Sequence, residues 1–532
     1  MKKAWKILGV AIGFIGIFTA TPNADAKPKK NEPEKILYIP HDNRPVVVEQ
    51  TIDIIEKAGY KVITPPKEIL GSREDFGNPD RLWEWLDRNT KKDIKAAVIS
   101  SDSMLYGSLI SSRKHNYNKQ LILARAELFK EFRKKHKKLP LYVFGSIMRT
   151  PRSGLASGYE EPDYYRHYGA NIFRYTALID KLEVEGLTPR ENKEIVFLQK
   201  LIPARALEDW QERREKNFSA NEKLVDMAGE KIFDCLLLGR DDNAPYSQTH
   251  MEGRKLATYG AKISKNKYQT IAGIDEVALI LLTRAINDRT KDKTSVFVSY
   301  APGVGGETVP TYSDETIDNS INAEFMALGS NRVYDVKNAD LVLAVNTNPE
   351  GKTYEAVSAL NGSAPREETF LFVNSVQNYL DNGEKVSVAD ISFANGADNA
   401  MVEQLKNRHL LFKLQSYAGW NTATNSTGFA LSTGILAKKF KEDDKNSILF
   451  TRYLDDWAYQ ANVRNIVSAQ LNWLNGEGYY NLLDDKKFDA AAWCEEMLTS
   501  FVRNNFPEVT LKDKMRVQFP WNRMFESEIS FE

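Results

Sequence analysis

About nine short apolar runs, each followed by a stretch with helical spacing, recur along this chain and limit its possible folds. They are "KILYIP", "YKVITPP", "KAAVISSD", "LPLYVFGSIMR", "FDCLLLGRDDN", "TSVFVSYAPG", "ADLVLAVNT", "KVSVADISFANG" and "LFKLQSYAGWNTATN". A strand that is apolar throughout, rather than at alternate positions, is covered on both faces, which is the condition of parallel sheet in βα units. The expected class is therefore α/β. The number of units favours an irregular (β/α)8-like barrel over one open doubly wound sheet. A long charged helical region over residues 163–230 interrupts the series before "FDCLLLGRDDN".

The ends of the chain read differently. Lys2, Lys3 and Lys6 precede an apolar run from Ile7 to about Ala20, and Ala24-Asp25-Ala26 follows, the pattern of a cleavable secretory signal peptide over 1–26. The apolar run is short for a membrane span of roughly 20 residues, so no span is expected after cleavage and the mature chain should be secreted or extracytoplasmic. Residues 27–34, "KPKKNEPE", read as a linker, 35–440 as the α/β catalytic-type domain, and 441–532 as a mostly helical region with a terminal strand or hairpin.

Composition narrows the chemistry by exclusion. With 72 basic and 72 acidic residues there is no global field to attract nucleic acid. Two cysteines, Cys235 and Cys494, are too few for a zinc ribbon or an iron–sulfur cluster. The six histidines show no metal-ligand spacing, and there is no G-x-S-x-G elbow. No cofactor and no resident metal are expected, although an Asp cluster could hold a hard cation.

In parallel α/β folds ligands bind at the carboxyl ends of the strands. Those ends carry His41, Asp42, Asn43 and Arg44; Asp102 and Tyr106; Arg149 and Arg152; Asp241, Asp242 and Asn243; Asn346; Asp390; and Trp420, Asn421 and Asn425. Each alone could cap a helix or make a turn. Together, amides, carboxylates and aromatics form a surface that can pair with a sugar's hydroxyls and stack on its ring.

"PHDNRPV", "ITPPKEILG", "SSDSMLYGSLISSR", "LLLGRDDNAPYSQTHMEGRKL", "SYAPGVGGE" and "FPWNRMFE" resemble, in order, the domain-of-unknown-function 4127 family of bacterial proteins. That resemblance spans nearly the whole mature chain and implies no particular activity. The Asp241-Asp242 pair after a strand is also similar to the catalytic pair of substrate-assisted N-acetylglucosaminidases. This likeness implies Asp241 as the residue orienting an acetamide and Asp242 as general acid/base, with Trp420, Asn421 and Asn425 as sugar contacts.

The leading expectation is an exported carbohydrate-active enzyme, a glycoside hydrolase of amino-sugar-containing glycans. Asp241 and Asp242 would be catalytic, and Asp42, Asn43, Arg44, Asp102, Tyr106, Asn243, Asn346, Trp420, Asn421 and Asn425 substrate-binding. A non-catalytic glycan- or cell-wall-binding protein and a metal-dependent phosphate or ester hydrolase remain as alternatives. The glycan, its linkage and the oligomeric state are left open.

Overall fold

A computed structural model describes residues 32–154, 160–472 and 480–532. The signal-peptide reading lies outside these residues. Six parallel strands form the first sheet: β1 (Glu34–Ile39), β2 (Tyr60–Ile63), β3 (Ile94–Ser100), β4 (Leu141–Ile147), β5 (Cys235–Arg240) and β6 (Tyr268–Ala272). The order across it is β2-β1-β3-β4-β5-β6. The second sheet is built from β7 (Ser295–Tyr300), β8 (Asn331–Val333), β9 (Leu341–Asn346), β11 (Val386–Asp390) and β13 (Ser416–Ala418), in the order β8-β7-β9-β11-β13. Between them in the chain, the two-residue strands β10 (Tyr354–Glu355) and β12 (Phe393–Ala394) pair with each other.

The α/β class with parallel βα units holds, but the strands do not close into a barrel. Each half places its second strand outside its first and then returns to add the third on the other side. That reversal leaves two free edges per sheet, whereas a barrel adds every strand on the same side until the last meets the first. Both halves therefore share one doubly wound order, and the chain folds as two tandem open sheets.

Burial explains the apolar runs. Every residue of β4, β5, β9 and β11 is buried. Between the sheets lie two helices. Val277–Thr290 packs on β3 and β4, Ala423–Leu436 packs on β9, β11 and β13, and the two pack on each other. The second of these has no exposed residue, as expected for a helix without a polar face. One continuous core thus joins the halves.

Helices Tyr165–Val184, Pro189–Leu201 and Ala204–Gly229 fill the connection from β4 to β5 around Tyr165 and Trp210. The C-terminal region is mostly helical. It covers the outer face of the second sheet and ends in the antiparallel pair β14 (Met515–Gln518) and β15 (Glu528–Phe531).

Candidate functional site

All strands of the first sheet point the same way, so the loops after β1, β3, β4, β5 and β6 meet at one edge. There they enclose a cavity of about 220 Å³. The β1 loop brings Arg44, the β5 loop Asp241, Asp242 and Asn243, and the β6 loop Asp275. Arg113 arrives from helix Leu109–Lys114, which follows β3, and Arg149 from the loop after β4. The second half contributes Asn395, Asn421 and Asn425, and the loop between β14 and β15 contributes Trp521, Arg523 and Phe525.

The acid pair is not a helix cap. The helix that follows it, Gln248–Tyr259, is capped by Ser247, whose side chain accepts from the His250 amide. Asp242 instead holds a left-handed backbone, φ 30°, a conformation that costs a non-glycine residue energy and is tolerated where the surroundings impose it. Its carboxylate accepts from Arg149 Nη1 at 2.8 Å, while that of Asp241 accepts from Arg113 Nη2 at 2.5 Å. The two adjacent acids are thus separated onto two guanidinium groups.

These contacts belong to a larger ion network. Arg149 Nε donates to Glu161 at 2.6 Å, and Arg113 also reaches Glu160. Arg523 stands 2.6 Å from Glu160 and 3.0 Å from Glu526. Arg44 grips Asp42 through Nε at 2.9 Å and Asp275 through Nη2 at 2.6 Å, and Nη2 also lies 2.9 Å from His41 Nε2. In all, seven carboxylates share four arginines.

Electrostatics separate the acids. Burial works to raise Asp275, but Arg44 and His41 outweigh it and hold its carboxyl well below the usual range. Glu160 is likewise held low, because Arg149, Arg523 and Arg113 overcome its burial. Asp242 goes the other way. Burial pushes it up to about 6, Arg149 only partly opposes this, and the neighbouring Asp241 adds to the rise.

Two amide atoms of the lining lack partners, and Arg113 Nε and Arg523 Nη1 beside them also make no hydrogen bond. Asn243 Oδ1 accepts from the Ala244 amide at 2.9 Å and the Ser247 hydroxyl at 2.8 Å, which turns Nδ2 away with no acceptor. Asn425 Oδ1 has no donor. Both residues line the cavity and are at least 96% buried, at 3% and 4% exposure. A buried polar group left unpaired costs about 1–3 kcal/mol, which a ligand can recover.

The expected site residues divide. Arg44, Asp241, Asp242, Asn243, Asn421 and Asn425 line the cavity. Asp42 and Asn43 stand behind it: Asp42 fixes Arg44, and Asn43 Oδ1 accepts from Trp521 Nε1 at 2.7 Å. Four others lie outside the lining. Asp102 is buried against Ser146, accepting from its amide at 2.9 Å and its hydroxyl at 3.1 Å. Tyr106 stacks on His115 at 4.8 Å. Trp420 is buried at 1% exposure beside Phe525 and presents no face for a sugar. Asn346 ends β9 at the other sheet, bonded to Asp390 at 2.9 Å and Asp398 at 3.2 Å.

Elsewhere that second sheet's carboxyl edge is covered by the C-terminal region. Asp456 of the C-terminal region accepts from the Gly419 amide at 2.7 Å, and Trp457 Nε1 donates to Asn399 at 3.0 Å. Asp398 serves as an ordinary helix cap, its side chain accepting from the Ala400 and Met401 amides at the start of helix Asn399–Asn407.

A family model described as "Protein of unknown function (DUF4127)" matches residues 36–530. The chain belongs to the DUF4127 family. A comparison with curated proteins finds no match. In this DUF4127 chain, "PHDNRPV", "SSDSMLYGSLISSR", "LLLGRDDNAPYSQTHMEGRKL" and "FPWNRMFE" each place a side chain in the cavity. "FPWNRMFE" supplies Trp521, Arg523 and Phe525, which the strand-end reading of the sequence did not reach.

Proposed function

We propose that the chain is an exported glycoside hydrolase of amino-sugar-containing glycans. In this reading Asp241 orients the sugar's acetamide so that its carbonyl oxygen attacks the anomeric carbon while Asp242 protonates the leaving oxygen. Water, giving its proton back to Asp242, then opens the cyclic intermediate. The observation that carries it is Asp242 itself. Its side chain is 27% exposed, against 8% for Asp241, 7% for Glu160 and 4% for Asp275. A carboxyl raised to about 6 is also the one that can arrive protonated at a mildly acidic or neutral pH.

The rest of the lining suits a sugar. Asn243, Asn395, Asn421 and Asn425 offer amide donors and acceptors, and Tyr312, Trp521 and Phe525 offer aromatic surface. A volume near 220 Å³ lies below the roughly 300–1,000 Å³ of common ligand clefts, which favours one terminal ring over a long chain. A divalent cation would have to displace guanidinium groups from the carboxylates, which weighs against the metal-dependent reading. Export rests on the N-terminal sequence pattern, and among the described residues no helix is long and apolar enough to cross a membrane.

The deciding experiment is Asp242→Asn assayed on aryl glycosides of amino sugars. Turnover should fall by roughly 10²–10⁴, the usual contribution of a general acid, with sugar binding retained. Undiminished hydrolysis by this variant would overturn the assignment. Saturable sugar binding without turnover by the wild type would favour a binding protein.

A further inference from the structure

We propose that the outer face of helix Pro189–Leu201 docks the protein on a membrane surface of anionic phospholipid. None of its residues lines the cavity, so the docking does not depend on the hydrolase reading. The helix carries two apolar stripes where folding needs one. Ile195 and Leu198, continued by Ile202 at the C-cap, pack inward around Tyr165 and Trp210. Val196, Phe197 and Leu201 point the other way and are 51%, 60% and 44% exposed. Together with Lys193 and Lys200 they fall at positions i, i+3, i+4, i+7 and i+8, a single face of the helix. Arg190 extends that face by one turn. Leu182 and Val184, in the last turn of the preceding helix, are exposed too.

The free charge on this face is of one sign. Arg190, Lys193 and Lys200 are exposed, and among the described residues none of them makes an ion pair. The neighbouring glutamates are engaged elsewhere. Lys181 stands 2.7 Å from Glu191 and 3.5 Å from Glu185, Arg174 is 2.7 Å from Glu194, and Lys255 is 2.9 Å from Glu183. Cations interleaved with apolar side chains need anions and hydrocarbon within one side chain's length of each other. A phospholipid headgroup layer supplies both: the lysine stems lie along the acyl boundary, their ammonium groups reach phosphate, and Phe197 enters between the chains. Two other occupants fit less well. A two-fold contact through this face would set Arg190, Lys193 and Lys200 against copies of one another. An acidic protein would find six side chains on one helix, against the roughly 20–30 residues per side of a stable interface.

The test places an environment-sensitive fluorophore on Phe197→Cys in the full chain, where both native cysteines are buried and stay unlabelled. Vesicles of phosphatidylcholine and phosphatidylglycerol should shift its emission to the blue, and spin-labelled acyl chains should quench it. Phosphatidylcholine alone should do neither. Raising salt from about 0.1 M to about 1 M, which shortens the screening length from about 10 Å to about 3 Å, should weaken binding. Lys193→Gln with Lys200→Gln in the labelled chain should weaken it about tenfold or more, since each cation near an anionic surface contributes about fivefold. The same fluorophore on Tyr334→Cys, an exposed position in the second half, should not shift. Because the probe reports its own surroundings, lipid contact by the apolar Ile7–Ala20 run does not imitate the result. No shift at Phe197, an equal shift at both positions, or equal binding to phosphatidylcholine alone overturns the proposal. A shift that grows with protein concentration without vesicles assigns the face to a second copy, and one that polyglutamate reproduces assigns it to an acidic protein. Either result also overturns it.

Discussion

Arg149 spans two acids from different parts of the chain, with Nη1 2.8 Å from Asp242 and Nε 2.6 Å from Glu161. The side chain is 10% exposed, so its charge is compensated by these acids more than by water. Replacing it with Met would leave Glu161, which is fully buried, without its principal cation. Breaking a buried pair in this way costs about 3–5 kcal/mol. Arg149→Met should lose that much in chemical denaturation. Arg149→Lys should recover only part of it, because an ammonium cannot make the two-pronged contact to Glu161. A Lys variant of wild-type stability would show that charge alone sufficed.

Asp242 gives turnover its pH dependence. As a general acid it works protonated, and its carboxyl is raised to about 6 by burial against the opposition of Arg149. kcat should therefore be highest on the acid side and fall as pH rises through about 6. Arg149→Met removes the main opposing charge and should move that limb to higher pH in whatever fraction remains folded. A rate profile flat between pH 5 and pH 8 would exclude Asp242 as the acid.

The strand-end logic located the cavity's central acids because an apolar run that stops at two carboxylates is a local signal. It failed where the signal is not local. Strand β6, "YQTIA", is broken by Gln269 and Thr270, so Asp275 beyond it was not seen as a strand end. Arg113 meets Asp241 across 128 positions, and Arg523 reaches Glu160 from the far end of the chain. Strand order is also not written in βα alternation, since one barrel and two open sheets present the same apolar periodicity. Trp420 illustrates a further limit, because a tryptophan beside asparagines reads alike whether it faces a ligand or, as here, packs on Phe525.

Buried acids outside the cavity, three aspartates together with Glu276 and Glu324, shape how stability responds to pH. Burial raises Asp102 to about 6 and Asp390 and Asp456 to about 7, with Asp398 adding to the rise at Asp390. An unfolded Asp titrates near 4, so the native state holds more protons between about pH 4 and pH 7. The stability these protons confer is fully present below the unfolded value and is lost as pH rises through 6 to 7. Tm should thus fall by a few degrees from pH 5 to pH 8 at constant ionic strength. Asp390→Asn, which cannot titrate, should show a shallower fall. The depressed Asp275 and Glu160 act below pH 4 and leave this window unchanged.

Gly273 links the backbone of the β6 loop to the cavity. Its φ is 89°, and an added Cβ would stand 2.1 Å from Glu276 Oε1 and 2.8 Å from Thr424 Oγ1. Neither neighbour can yield easily, since Glu276 is fully buried and Thr424 sits in the first turn of the buried helix Ala423–Leu436. Gly273→Ala would therefore have to move the loop that carries Asp275, and with it the anchor of Arg44 and Asn421 Nδ2, which donates to Asp275 at 3.0 Å. The expected result is a loss of about 1–3 kcal/mol from backbone strain together with weaker sugar binding. Urea denaturation and ligand titration of the same sample separate the two effects, and wild-type values in both would mean that the loop relaxes without shifting Asp275.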